Sequence, residues 1–234
     1  MPVIPSPNIW HWPDVYELEN RAQDVDGAVF AALAEVADWA DRDVADIGCG
    51  SGFHLPAFGK TARSVVGVEP YRPLIPVAAR RIVAMPNVRV VQGSAETIPL
   101  EDGSTDVVHA RTAYFFGAGC EPGIAEAMRI LRPGGVLVIV DLDATAYPYG
   151  EWMRVDIAHY RPDLVERFFA NARFECRRVD TRWEFPNRDA MAEVLRIEFT
   201  PRTAKKALRS TPGTSFDVRY RIHTLRKPSG LILS

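Results

Sequence analysis

The sequence predicts an α/β fold: a mostly parallel sheet with helices on both faces. Three observations carry this. Short apolar runs alternate with helix-period segments over the first two thirds of the 234 residues. The glycine-rich stretch Asp46-Ile47-Gly48-Cys49-Gly50-Ser51-Gly52 joins an apolar run, Val44 to Ile47, to a helix start. A second apolar run, Val65 to Val68, ends in an acid, Glu69, 21 residues beyond Gly48.

Taken in order, residues 1–20 carry Pro2, Pro5, Pro7 and Pro13 among Trp10, Trp12 and Tyr16. That is too much proline for a helix and too much aromatic surface for a free tail, so residues 1–23 are expected to pack on the domain as a cover. Val29, Leu33, Val36, Ala37 and Ala40 recur at helical spacing behind possible caps at Asp24 or Asp26. The first strand, the glycine turn and a helix follow, then the second strand. Leu74, Ala78, Ile82 and Met85 mark a helix, and Val88 to Val91 a third strand.

The turn-rich Glu101-Asp102-Gly103-Ser104 precedes a fourth strand over residues 106–110. Ile124, Ala127, Met128 and Leu131 share one helix face, Arg129 and Arg132 suit its C-terminal dipole, and Pro133-Gly134-Gly135 is expected to stop it. Val136 to Val140, apolar throughout, is a fifth strand buried on both faces. Beyond it, residues 174–185 and 216–225 read as two further strands around a helix carrying Ala190, Met191, Val194 and Leu195. They match a hairpin-like closure at the sheet edge.

Composition narrows the function. With 28 basic against 30 acidic residues there is no nucleic-acid footprint. Cys49, Cys120 and Cys176 are too scattered for a disulfide framework or a zinc site. No secretory signal or membrane-spanning run is visible, and a cytoplasmic protein with no membrane partner is expected. Asp141 and Asp143 read as strand-end acids, so no metal is expected; nothing in the sequence fixes an oligomeric state.

The glycine turn limits the ligand. Small residues let the backbone approach a ligand, and free N–H groups at a helix start favour a carboxylate or phosphate. A dinucleotide site wants Gly-x-Gly-x-x-Gly, but Phe53 stands where the third glycine belongs and Gly52 gives Gly-x-Gly-x-Gly instead. Asp46 would repel a pyrophosphate yet could face an ammonium group. Glu69, at a strand end, is placed to accept both hydroxyls of a ribose.

Four segments in this order resemble the class I S-adenosylmethionine-dependent methyltransferases, in particular the small-molecule branch that includes ubiquinone- and menaquinone-biosynthesis-like enzymes. They are residues 44–52; Val66-Gly67-Val68-Glu69-Pro70; Gly93-Ser94-Ala95-Glu96-Thr97-Ile98-Pro99-Leu100; and Arg129-Ile130-Leu131-Arg132-Pro133-Gly134-Gly135. The resemblance implies a Rossmann-like, seven-stranded, mostly parallel sheet with an antiparallel last strand. The chain reads as a single domain of 1–234, with a cover (1–23), a cofactor-binding core (24–143) and an acceptor-side elaboration with the edge hairpin (144–234). The resemblance implies S-adenosyl-L-methionine as cofactor, with Gly48, Gly50 and Gly52 under its methionine part, Asp46 near its amino group and Glu69 on the ribose. Ser94, Ala95 and Glu96 would lie beside the adenine, with Ser94 standing where the family usually has Asp.

Catalytic groups are optional, since aligning an acceptor with a sulfonium methyl supplies on the order of 7–11 kcal/mol in favourable cases. His109 and Tyr114, on and after the fourth strand, are the candidate base and acceptor-pocket residue. Arg111 is grouped with the cofactor set and is placed either to meet an anionic substrate or to cap a helix. His159 and Tyr160 are weaker candidates, and the clusters Trp10, Trp12, Tyr16 and Tyr147, Tyr149, Trp152 either pack or form a lid. The expected partner is a small-molecule methyl acceptor, and the rivals are an RNA or protein methyltransferase, a non-catalytic cofactor-binding module and a nicotinamide oxidoreductase.

Overall fold

A computed structural model describes residues 6–157 and 159–230. The chain opens with two helices, α1 (Pro7–His11) and α2 (Pro13–Ala22), where the sequence had argued against any helix. Pro7 and Pro13 occupy first-turn positions, where a missing N–H costs nothing and a fixed φ favours the helix. Pro2 and Pro5 lie outside the described residues. Helix α3 (Ala28–Val36) follows, and Asp24 accepts hydrogen bonds from the amides of Val29 at 2.9 Å and Phe30 at 3.2 Å. Asp26, the other expected cap, instead pairs with Arg182.

The central repeat runs β1 (Asp43–Ile47), α4 (Leu55–Gly59), β2 (Ser64–Glu69), α5 (Ile75–Arg81), β3 (Val88–Gln92), β4 (Thr105–Arg111), α6 (Glu121–Ile130) and β5 (Leu131–Leu142). Helix α6 ends before Pro133-Gly134-Gly135 rather than at it, and these three residues lead into β5. Long-range pairing explains the difference. The amide of Gly134 donates to the carbonyl of Lys227, and the amide of Lys227 to the carbonyl of Gly135, contacts no local pattern announces.

The last third adds α7 (Tyr149–Asp156), α8 (Pro162–Asn171), β6 (Glu175–Glu184), α9 (Arg188–Glu198), α10 (Pro201–Ser210) and β7 (Ser215–Arg226). The seven strands stand in the order β3-β2-β1-β4-β5-β7-β6. The first five are parallel and β7 runs antiparallel to both β5 and β6. The last strand is therefore antiparallel as expected, but it inserts between β5 and β6, and two helices span the connection that was read as hairpin-like.

Strand alternation builds a core on each face of the sheet. On β1, Val44 faces a cluster with Phe58, Val107 and Val138, while Ala45 and Ile47 face a second with Val108, Ile130 and Ile139. Tyr149 and Trp152 are buried against Trp183, Phe199 and Phe216, so this aromatic cluster packs the core. Asp141 and Asp143 are taken by arginines: Asp141 accepts from the buried Arg221 at 2.9 Å, and Asp143 from Arg178 at 3.1 Å. Among the described residues no cluster of His, Cys, Asp and Glu is arranged to hold a metal. Nor is any described helix long and apolar enough to cross a membrane.

Candidate active site

Strand β1 lies between β2 and β4, so the chain's crossovers diverge on either side of it and leave a crevice at the strands' carboxyl ends. A cavity of about 460 Å³ occupies this crevice, a size typical of small-molecule sites. The glycine turn, the ends of β2 and β4 and the turn after β3 form its floor and sides. Helices α1 and α2 cover it, with Ile9, Trp10, Tyr16, Asn20 and Gln23 turned inward.

Gly48 and Gly50 have φ of +72° and +57°, a region that favours glycine, and they are also tightly approached. A Cβ on Gly48 would stand 2.6 Å from that of Ala113, and one on Gly50 2.7 Å from Cδ1 of Ile9. Gly52 has the same left-handed backbone but faces Ala78 and Leu55 and is not in the cavity lining, and Cys49, half-buried between Gly48 and Gly50, has a thiol whose pKa burial pushes up.

Glu69 faces the same cavity while 4% exposed. Its Oε2 accepts from the amide of Gly50 at 2.9 Å and its Oε1 from that of Tyr71 at 2.8 Å. Burial raises its pKa, and these two amides act in the opposite direction. Each oxygen keeps lone-pair capacity for a further donor, so the carboxylate is both strut and acceptor.

Ser94, Ala95 and Glu96 line the cavity in a turn closed by reciprocal Ser94 and Thr97 backbone bonds. Tyr114, also in the lining, donates its hydroxyl to Oε1 of Glu96 at 3.1 Å. Burial and the neighbouring Glu96 push the Tyr114 phenol up to about 12. Tyr114 is thereby tied to the Ser94–Glu96 side.

Asp46 and His109 do not line the cavity. Neighbours in register on β1 and β4, they are 2.8 Å apart between Oδ1 and Nδ1, both buried. His109 sits two residues in from the end of β4, with its ring centre 4.9 Å from that of Phe58 and 6.5 Å from that of His54. Those rings cover it, which corrects the expectation of His109 as a base in the pocket. Asp46, 4% exposed, has its Oδ1 taken by His109 and lies outside the cavity lining.

Arg111 does reach the cavity, at the α2 end. His159 is exposed, and Tyr160 accepts a hydrogen bond from Arg221. Three inward residues escaped the sequence reading: His54, Asn20 and Gln23. His54, beside Phe30 and Phe53 on the cavity wall, has its pKa held well below the usual imidazole value by burial and then by Arg111. Asn20 on α2 and Gln23, the residue that caps its C-terminus, join Tyr16 on one face, legible only once the segment is recognised as a helix.

Residues 45–139 match the methyltransferase domain model. That span carries the chain's likeness to the methyltransferases. It is 27% identical over 216 residues to a demethylmenaquinone methyltransferase of Deinococcus radiodurans, covering 89% of this chain and 83% of that one. It is 34% identical over 127 residues to an uncharacterized 37.1 kDa transposon protein of Streptomyces fradiae, covering 51% of this chain and 37% of that one. The chain spans less than half the length of the first curated relatives it matches. The crystal structure of a putative methyltransferase from Bacillus halodurans shares the fold, with a TM-score of 0.62 at 23% identity over 85% of this chain and 98% of that one.

The methyltransferase match implies S-adenosyl-L-methionine as cofactor, and the cavity fits such a group. Its glycine cradle is one that a Cβ would fill, and Glu69 points a desolvated carboxylate into it from the end of β2.

Proposed function

We propose that this methyltransferase moves the methyl group of S-adenosylmethionine to an oxygen, nitrogen or carbon of a small metabolite held in the same cavity. One observation carries the reading. A single cavity holds a glycine cradle and a ribose-type acid at the β2 end, and a polar and aromatic wall from α2 and β4 at the other. When bound, the sulfonium supplies an electrophilic methyl group. Everything else falls to the chain's own residues.

The loop from Gly48 to Gly52 lets backbone lie against the ligand, and Glu69 accepts hydrogen bonds from ribose hydroxyls. Ser94, Ala95 and Glu96 flank the adenine, with Tyr114 fixing Glu96. Asp46 and His109 act as positioning residues under the loop. Helices α1 and α2 exclude water, which strengthens every polar contact inside. His54, an imidazole kept neutral by burial, accepts a proton from a hydroxyl acceptor. Residues 1–23 thus serve as the cover, 24–143 as the cofactor core and 144–234 as the closing elaboration.

A net charge of −2 supports a small acceptor over a polynucleotide, and the absence of any membrane-spanning described helix fits a cytoplasmic enzyme. The relative's name, a demethylmenaquinone methyltransferase, supports a flat aromatic acceptor. The test is transfer of labelled methyl from S-adenosylmethionine across a library of phenols, carboxylates and amines. Product from one class is the expected result; bound cofactor with silence in every class would leave a non-catalytic binding module.

A further inference from the structure

Arg111 is 8% exposed, and the wall it forms lies where α2 meets the end of β4. Its Nη2 donates to Oε1 of Gln23 at 3.0 Å, and its guanidinium stands 4.8 Å above the ring of Tyr220. Its Nε–H is buried without a hydrogen-bond partner. Among the described residues it pairs with no carboxylate. Arg221 shows the contrast, since that buried guanidinium is compensated by Asp141 at 2.9 Å.

Glu19 reaches Arg111 only through Gln23. Glu19 accepts from Nε2 of Gln23 at 2.9 Å, and burial and the adjacent Glu198 push its carboxyl well above the usual range. Gln23 is fixed between the two, its amide nitrogen toward Glu19 and its oxygen toward Arg111. Tyr16, whose phenol burial keeps protonated, and Asn20 bring further donors to the same wall. A buried guanidinium with no direct carboxylate partner and an unpaired Nε–H is unfavourable, and it stands here beside a cavity large enough to admit an anion.

We propose that Arg111, Gln23, Asn20 and Tyr16 form an oxyanion subsite, built to take a carboxylate or phenolate at the α2 end of the cavity. The inference rests on the methyltransferase reading. Its anion comes either from the methyl acceptor or from the cofactor's own carboxylate. The partners of Arg111 lie just past the end of α2 and on β7, across the sheet from Glu69 on β2, which favours the acceptor.

The test compares the wild type with Arg111→Gln and Arg111→Lys by calorimetry, with thermal melts to establish folding. Each protein is titrated with S-adenosylhomocysteine, with 5′-methylthioadenosine, which lacks the carboxylate, and, once saturated with S-adenosylhomocysteine, with benzoate and with neutral benzamide. An acceptor subsite is expected to bind benzoate but not benzamide, about tenfold more weakly in Arg111→Gln, with partial recovery in Arg111→Lys and S-adenosylhomocysteine affinity unchanged. A cofactor subsite is expected to weaken S-adenosylhomocysteine about tenfold in Arg111→Gln and leave methylthioadenosine alone. Unchanged affinities for both anions in folded Arg111→Gln would overturn the proposal, as would a wild type blind to benzoate with S-adenosylhomocysteine binding insensitive to the substitution. A wild type that ignores S-adenosylhomocysteine altogether fails the methyltransferase reading instead.

Discussion

Replacing Glu69 with Ala removes an acceptor on which two things depend. In the free protein the carboxylate holds the amides of Gly50 and Tyr71 at 2.9 and 2.8 Å, which sets the glycine turn against the end of β2. In the complex it is assigned the ribose hydroxyls. Hydrogen bonds to a charged acceptor contribute about 1.5–3 kcal/mol. Water can enter the space left by Ala and satisfy the two amides, so most of the loss should appear in ligand binding. At about 1.4 kcal/mol per decade, S-adenosylhomocysteine affinity should fall by one to two orders of magnitude. Calorimetry measures it, and a melt of each variant separates a lost contact from a lost fold. Glu69→Gln sharpens the comparison: it retains one carbonyl oxygen but turns an NH₂ toward one of the two amide donors, so it should bind little better than Ala. A folded Glu69→Ala protein with wild-type affinity would refute the ribose assignment.

His54→Ala should lower kcat for a hydroxyl acceptor by about 10²–10⁴-fold while sparing S-adenosylhomocysteine binding. Because the imidazole pKa is depressed, the acid limb of the wild-type rate profile should lie below pH 6.5, and a limb at or above 6.5 would count against this role. Trp10 stacks on Tyr71 with ring centres 4.3 Å apart, a contact worth about 0.5–1.5 kcal/mol, so Trp10→Ala should speed S-adenosylhomocysteine release by up to about tenfold in stopped flow. His223 stacks on Phe169 with neither ring nitrogen bonded, and burial drops its pKa from 6.5 to about 4. The unfolded chain takes up this proton first, so stability should be lost as the pH falls from about 6.5 to about 4, by about 3 kcal/mol in all. His223→Leu should flatten that limb in urea melts at pH 4 and 7.

The parallel half of the fold was legible because its elements announce themselves locally. Val44 to Ile47, Val65 to Val68 and Val136 to Val140 are apolar enough to mark buried strands, and the glycine turn and Glu69 mark the strand ends between which a crevice opens. The structure brings the glycine turn, Glu69 and Ser94 to Glu96 to one cavity. What remained hidden depends on distant partners. Proline was read as a helix breaker at Pro7 and Pro13, although its cost vanishes in the first turn. That single step concealed Asn20 and Gln23, which join Tyr16 on the inward side of α2 and its C-terminal cap. The direction of His109 could not be read from β4 alone, because it is set by pairing with Asp46 and by Phe58 from another element. The insertion of β7 between β5 and β6 depends on the long-range register of Val136 with Arg226 and Glu175 with Thr224, and no local pattern fixes an insertion between strands.

The central claim is that a sulfonium nucleoside, and not a dinucleotide, belongs in the crevice beside Glu69. Titrating one preparation in parallel with S-adenosylhomocysteine and with a nicotinamide dinucleotide tests it most directly. Saturable binding of the former, weakened in Glu69→Ala, with no heat from the latter, is the expected result. Uptake of the dinucleotide and indifference to S-adenosylhomocysteine would contradict it.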